Sequence, residues 1–311
     1  MTRVISTIIV RPPRRKYSET ELRDITYLND SRPVTRVPVT FTNSRGENIV
    51  GSMYPAPRSA ENNPCVIYLH GNASSQIEGS YLVTALAPKG INLLCIDTSG
   101  CGNSDGEIIS LGLREKDDVK AAIQYIKREF EIQHVIIWGR SMGAAIAAWY
   151  AAEEGDLDGI IVDSAYCSVR EIAEDLCGNN WFLWGLMKLL YPLVRRNVQK
   201  DHGFSIDDIN VIDKVQNARC PALFVHANHD TFINIREARE LYSRYGGEKY
   251  MITTTGNHNS VRPLSIKTTE LMFISRIFGI NDKFSNIDNT EHVNDNSNAH
   301  FENAFEMIRN L

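Results

Sequence analysis

The chain has 311 residues, 43% hydrophobic and 23% charged, with 33 Lys and Arg against 38 Asp and Glu for a net charge of −5. That length holds one large core or two small ones, and the acidic balance excludes nucleic acid as the main partner, because phosphate backbones are held by basic surfaces. There is no run of ~20 apolar residues, which excludes a transmembrane helix.

Residues 1–34 read as an N-terminal arm. Residues 4–10 are apolar and β-branched, the pattern of an edge strand, and the basic cluster Arg11, Arg14, Arg15 and Lys16 after them reads as a solvated turn. Charges after the apolar stretch, not before it, argue against a secretory signal. Peripheral contact with an anionic membrane surface is the less favoured use of the same segment.

Residues 35–42 alternate as a strand, Asn43-Ser44-Arg45-Gly46-Glu47-Asn48 forms a hairpin turn, and residues 49–54 return. Residues 65–69 are a continuous apolar run, as in a strand buried on both faces, and end at His70-Gly71-Asn72. A helix over 77–87, a strand over 91–97 and a glycine-containing loop to Gly106 follow. That loop lacks the Lys-Ser/Thr of a phosphate loop and the dinucleotide spacing, so it reads as a tight turn bordering a pocket. Residues 113–130 place Val119, Ala122, Ile123 and Ile126 at helical spacing. Strands over 134–138 and 159–163 flank an Ala-rich helix over 142–152. Later come strands over 222–226 and 249–254 and helices over 236–245 and 264–278.

This alternation predicts one α/β domain over 35–280, a mostly parallel central sheet flanked by helices. The interruption between 165 and 221 is far longer than an ordinary connection. It predicts an inserted helical cap at about 167–219 over the C-terminal edge of the sheet, with Trp181, Trp184 and Met187 binding substrate. Residues 281–311 turn to Asn and Asp and are expected to form a disordered polar tail with a short helix near 301–308. The cysteines at 65, 95, 101, 167, 177 and 220 lack Cys-x-x-Cys pairs and metal-type spacing. They read as reduced core thiols in a reducing, cytoplasmic setting.

Gly139-Arg140-Ser141-Met142-Gly143 joins a buried strand to a small-residue helix. A sharp turn there exposes the central side chain, and glycines two before and two after remove the Cβ atoms that would collide. Ser141 is therefore the expected nucleophile. A serine hydroxyl needs a base, and the base needs an acid that fixes its tautomer. After a strand-turn-helix serine those partners follow in the order acid, then base. Asp230 and His258 each follow a strand in that order. Asp163 is the rival acid, and His226 and His229 are rival bases. The oxyanion donors are expected to be the backbone N–H of Met142, at a helix N-terminus, and of Asn72 in His70-Gly71-Asn72, with Ala73 next. No metal or organic cofactor is required by this chemistry.

The pattern resembles the α/β-hydrolase superfamily, and within it the serine aminopeptidase-like and prolyl-oligopeptidase-like branch of uncharacterised eukaryotic serine hydrolases. The matching residues are His70-Gly71-Asn72, Asp97 with Gly100, Gly102 and Gly106, Gly139 to Gly143, Asp163-Ser164, His226 to Asp230, and Gly256 to Ser260 with Arg262-Pro263. The resemblance covers about residues 9–280. It implies a serine hydrolase acting on a carboxylic ester, thioester or amide through an acyl-enzyme, on a small-molecule, acyl or peptide substrate. An esterase or thioesterase is preferred over an aminopeptidase-like peptidase, and a catalytically silent binding protein of the same fold is the alternative from another class.

Overall fold

The computed structural model describes residues 2–30 and 32–280. The tail and the short helix expected within residues 281–311 lie outside the described residues. The chain opens with α1 (Thr2–Val10), and β1 (Ile25–Tyr27) and β2 (Pro33–Thr35) pair antiparallel as a separate ribbon. Arg36 breaks the strand expected over 35–42. Its buried guanidinium turns away to Asp24 at 2.9 Å and Glu19 at 3.1 Å.

The main sheet has eight strands: β3 (Val37–Thr42), β4 (Asn48–Tyr54), β5 (Cys65–Leu69), β6 (Asn92–Ile96), β7 (Val135–Arg140), β8 (Gly159–Asp163), β9 (Ala222–Ala227) and β10 (Lys249–Thr254). Their order is β10-β9-β8-β7-β5-β6-β4-β3, with β3 and β4 antiparallel and the rest parallel. The chain steps from β5 out to β6 and then returns across β5 to β7. Leu69 pairs with both Ile96 and Gly139, so these three strands end level with one another. A crevice at the carboxyl ends of such strands, where the winding reverses, is where α/β sheets bind ligands.

Strand side chains alternate between two helical layers. Ile67, Leu69 and Ile137 face α3 (Glu115–Glu129) and α4 (Met142–Glu153). Val66, Tyr68, Ile136 and Trp138 face α2 (Val83–Leu86) and α8 (Leu264–Ile277). Every residue of α4 from Met142 to Ala151 is buried. Its alanines let the helix lie close on β7 and β8, and burying a side chain such as Ile146 contributes about 1.5–3 kcal/mol.

Two expectations need correction. Residues 4–10 form a helix, not an edge strand: Ser6 and Val10 are buried, Ile5 and Ile9 pack on the core, and the helix lies against α6 (Trp181–His202). Tertiary burial of an i, i+4 face overrides the strand preference of β-branched residues. The helix expected over 77–87 is broken into a 3-10 segment, Gln76–Leu82, the four-residue α2, and a second 3-10 turn with Pro88 near its start. Gly79 lies so close to the Tyr68 ring that a Cβ there would come within 2.4 Å of it, which draws this segment onto β5.

Between β8 and β9 the chain forms α5 (Val169–Cys177) and α6; α7 (Ile235–Arg244) then links β9 to β10. No helix of the described residues is long and apolar enough to cross a membrane. All six cysteines are buried and free.

One buried carboxyl gives this fold a pH dependence. Glu237 on α7 is fully buried; one of its oxygens accepts the Cys167 N–H at 2.8 Å, and Oε1 has no hydrogen-bond partner among the described residues. Burial pushes its carboxyl up from 4.5 to about 8. The unfolded chain thus releases this proton near pH 4.5 and the folded chain near 8, so the contribution to stability declines as pH rises between them. Glu237→Gln is expected to gain several degrees in Tm relative to the parent protein between pH 5 and pH 9, by thermal denaturation at both values. An equal difference at both would mean that the buried group does not hold its proton.

Candidate active site

Ser141 stands between β7 and α4 with φ 53° and ψ −114°, a backbone conformation that costs about 1–3 kcal/mol for a residue with a side chain. Its N–H donates to Asp163 O at 2.8 Å, and Ala145 N–H returns to Ser141 O at 3.0 Å, so both neighbouring elements hold the turn. A Cβ on Gly139 would lie 2.1 Å from Gly143 O, and one on Gly143 would lie 2.1 Å from Leu69 O. No side chain fits at either position while α4 stays this close to β5.

The loops after β9 and β10 bring two more side chains to this turn. His258 Nε2 is 3.0 Å from Ser141 Oγ, and His258 Nδ1 is 2.7 Å from Asp230 Oδ2. The other Asp230 oxygen accepts N–H bonds from Phe232 at 2.9 Å and Ile233 at 2.8 Å. Burial works against its charge, yet the hydrogen bonds from His258, Ile233 and Phe232 outweigh it and hold the carboxyl below the usual range. An ionised carboxylate only accepts, so His258 Nδ1 carries a proton and the lone pair of Nε2 faces the serine hydroxyl. The Phe232 ring packs edge-on to the imidazole at 5.2 Å between centroids.

No rival side chain bonds to Ser141 Oγ among the described residues. Asp163 accepts from Arg262 Nη2 at 2.7 Å and Nε at 3.0 Å, and no hydrogen bond joins it to His258. His226 is fully buried, and burial lowers its basicity; its Nε2 donates to Ile233 O at 2.9 Å and lies 3.5 Å from Asp230 Oδ2, behind the acid and away from the serine hydroxyl it would have to serve. His229 is exposed, and its ring makes no hydrogen bond among the described residues.

The loop after β5 passes close to the serine: a Cβ on Gly71 would lie 3.8 Å from Ser141 Cβ. His70 holds this loop. Its Nε2 accepts the Thr98 N–H at 3.2 Å, so Nδ1 carries the proton and donates to Gly71 O at 2.7 Å. With the Gly71 carbonyl so held, the N–H of the same peptide, that of Asn72, points the opposite way, and it has no acceptor among the described residues. Met142 is the first residue of α4, where the helix leaves its N–H unpaired.

Among the described residues no hydrogen bond or ring contact joins Trp181, Trp184 or Met187 to Ser141, Asp230 or His258. Trp181 is 83% exposed with its ring against Phe182, and Trp184 Nε1 donates to Gly178 O at 2.8 Å. Three arginines with a role here escaped the sequence reading. Arg140 Nη2 donates to His258 O at 3.0 Å, and Arg262 Nη1 donates to Ser260 O at 3.2 Å, so two guanidiniums hold the histidine loop. Arg14, read as part of a solvated cluster, instead binds the carbonyls of Gly100 at 2.7 Å, Ser104 at 3.0 Å and Gly106 in the glycine loop. Arg262 stands four residues after His258 and belongs to the Arg262-Pro263 match noted above, and these were its available signals.

Comparison with known proteins agrees with this fold. The chain is 26% identical over 195 residues to the lysophosphatidylserine lipase ABHD12 of Danio rerio, an alignment covering 58% of this chain and 46% of the lipase. It therefore spans about half the length of the curated lipases it matches. Among solved structures, the Pyrococcus furiosus esterase Pf2001 superposes with a TM-score of 0.62 at 20% identity, over 78% of this chain and 93% of the esterase. An acylaminoacyl peptidase of Pyrococcus horikoshii gives 0.59 at 15% identity, over 82% of this chain and 43% of that one. At such identities the structures share a fold and no more. The Hydrolase_4 family model, described as serine aminopeptidase S33, matches residues 60–218, a span that contains Ser141 and ends before Asp230. The mostly parallel sheet, the flanking helices and that match together make this chain a member of the serine aminopeptidase S33 family of α/β hydrolases.

Proposed function

We propose that the protein is a serine hydrolase that cleaves a carboxylic ester or thioester through an acyl-enzyme on Ser141. The observation that carries this reading is the unbroken path from Asp230 through His258 to Ser141 Oγ, at 2.7 and 3.0 Å. His258 Nε2 takes the hydroxyl proton as Oγ attacks the carbonyl carbon. Asp230 keeps the imidazole in the tautomer that can accept and stabilises the imidazolium that forms. Negative charge on the carbonyl oxygen meets the N–H groups of Met142 and Asn72, and one such donor typically contributes ~2.7–4 kcal/mol to lowering the barrier. The imidazolium then returns its proton to the leaving group, and water repeats the sequence to release the acid.

Arg140 and Arg262 serve here as positioning residues, since they touch the backbone of the histidine loop and not the reacting atoms. An aminopeptidase-like activity is the second reading, supported by the family description. The ester reading is favoured by the lysophosphatidylserine lipase among the relatives.

A fluorophosphonate probe is expected to label the wild-type protein and not Ser141→Ala. A panel of p-nitrophenyl esters, acyl-thioesters and aminoacyl amides is expected to show ester or thioester turnover above amide turnover. A labelled Ser141→Ala protein would place the nucleophile on another serine; an unlabelled wild type would leave the silent binding protein as the better reading.

A further inference from the structure

Helix α6 is apolar on two opposite sides. Trp184, Met187, Tyr191, Val194 and Val198 recur every three or four residues and form the more buried side, with Val194 and Val198 in the core. Phe182, Leu186, Leu189 and Leu193 recur in the same way on the opposite side, and all four are exposed, Leu189 by 66%. That second stripe runs about 16 Å along the helix. On the neighbouring α1, Val4 and Ile8 stand one turn apart and are 61% and 60% exposed. A helix apolar all round is ordinarily enclosed by protein or lipid, yet the outer side of α6 has no occupant among the described residues. Contiguous apolar surface of this kind marks an interaction site.

Charge says what the occupant is. Residues 2–16 and 181–200 contain basic residues but no Asp or Glu, in a chain whose net charge is −5. Arg3, Arg15, Lys16, Lys188, Arg196 and Lys200 make no ion pair among the described residues. Leu193, Arg196 and Lys200 line one open groove, so cation and hydrocarbon alternate on a single surface. Apolar side chains flanked by unpaired cations suit the boundary between acyl chains and anionic headgroups. With Lys188, Arg195 and Arg196 in its length, α6 does not qualify as a spanning helix and would lie flat.

This surface is tied to the serine side of the molecule. Past α1, the Arg15 N–H donates to Ala73 O at 3.3 Å, two residues beyond Gly71, whose backbone borders Ser141. We propose that the outer faces of α1 and α6, with their flanking lysines and arginines, dock the protein on an anionic lipid surface. The docking itself does not rest on the hydrolase reading. Its consequence, that an acylated amphiphile enters the site from the bilayer, does.

The test is flotation of the full chain with vesicles of phosphatidylcholine alone and of phosphatidylcholine with 30% phosphatidylserine. Binding is expected to the anionic vesicles, to weaken as salt rises, and to be feeble on phosphatidylcholine alone. Ile8→Gln with Leu189→Gln is expected to lower partition roughly tenfold or more, and Lys188→Gln with Arg196→Gln by a similar factor. Tyr27→Gln, an equally exposed apolar change on β1, is expected to bind as wild type. Unchanged thermal unfolding would show the variants folded, and hydrolysis of a soluble ester is read separately. Absence of flotation with the anionic vesicles would overturn the proposal, as would equal loss in Tyr27→Gln. A dimer in sedimentation equilibrium that Ile8→Gln with Leu189→Gln dissolves would assign the face to a second copy. Binding that appears only after residues 281–311 are removed would assign it to the chain's own C-terminal segment. Either result also overturns it.

Discussion

Asp230→Asn is expected to lower kcat/KM for an activated ester by about 10⁴ near pH 7 while leaving the fold intact. The native carboxylate oxygen accepts the proton on His258 Nδ1 at 2.7 Å. The backbone bonds from Phe232 and Ile233 end on the other oxygen and can hold an asparagine carbonyl in the same place. The amide NH2 of that asparagine would then face His258 as a donor. The imidazole must accept on Nδ1 and carry its proton on Nε2, towards the serine, where no base is left. Asp163→Asn makes the opposite kind of change. Asp163 is bound to Arg262 at 2.7 Å with both side chains buried, so removing its charge strands a buried guanidinium, at a cost of about 3–5 kcal/mol in stability. Its kinetic penalty is expected to be roughly tenfold or less, through a looser histidine loop. Steady-state kinetics and thermal unfolding on both variants separate the two. Complete loss of activity in Asp163→Asn with near-normal activity in Asp230→Asn would reverse the assignment of the acid.

Gly143→Ala is expected to yield little or no soluble protein, or a Tm lower by roughly 10 °C. The added Cβ would lie 2.1 Å from Leu69 O, 2.6 Å from Leu69 C and 2.9 Å from His70 O. All three atoms are backbone of the central strand β5 and its exit, so no side-chain rotation relieves the overlap. Either α4 lifts from the sheet, exposing Ile146 and its alanines, or β5 shifts and carries the His70-Gly71-Asn72 loop with it. Overpacking on this scale exceeds the ~1–3 kcal/mol of an ordinary misfit. Gly185→Ala is the control, because nothing lies within 4 Å of its added Cβ on the exposed part of α6. That change is expected to stabilise by about 1 kcal/mol through helix preference alone. If the two substitutions proved equal, the tight approach of α4 to β5 would be refuted.

What the sequence disclosed, and what it hid, follows from how local each cause is. The eight strands and the helices at 115–129, 142–153 and 264–277 were legible because continuous apolar runs and helical periodicity are local signals. The juxtaposition of Ser141, Asp230 and His258 was also foreseeable, since chain order and strand-end position limit which acid and base can reach a given turn. The N-terminal helix was not. Its β-branched residues favour a strand, and the packing on α6 that decides otherwise involves residues some 180 positions away. Arg14 was misread for the same reason: three carbonyls of a distant loop receive it, and nothing in a run of basic residues distinguishes that from solvation. A substrate role for Trp181, Trp184 and Met187 rests on aromatic and apolar content alone, which does not say which way a helix turns its faces.

The distance in sequence between the serine and the histidine in the loop after the last strand has a bearing on biosynthesis. During translation the β7–α4 turn emerges more than a hundred residues before the loop that carries the imidazole. A polypeptide still attached to the ribosome, or a fragment ending before β10, therefore lacks the group that faces the hydroxyl. A chain that stops short of that loop is expected to leave Ser141 no more reactive than an ordinary serine hydroxyl.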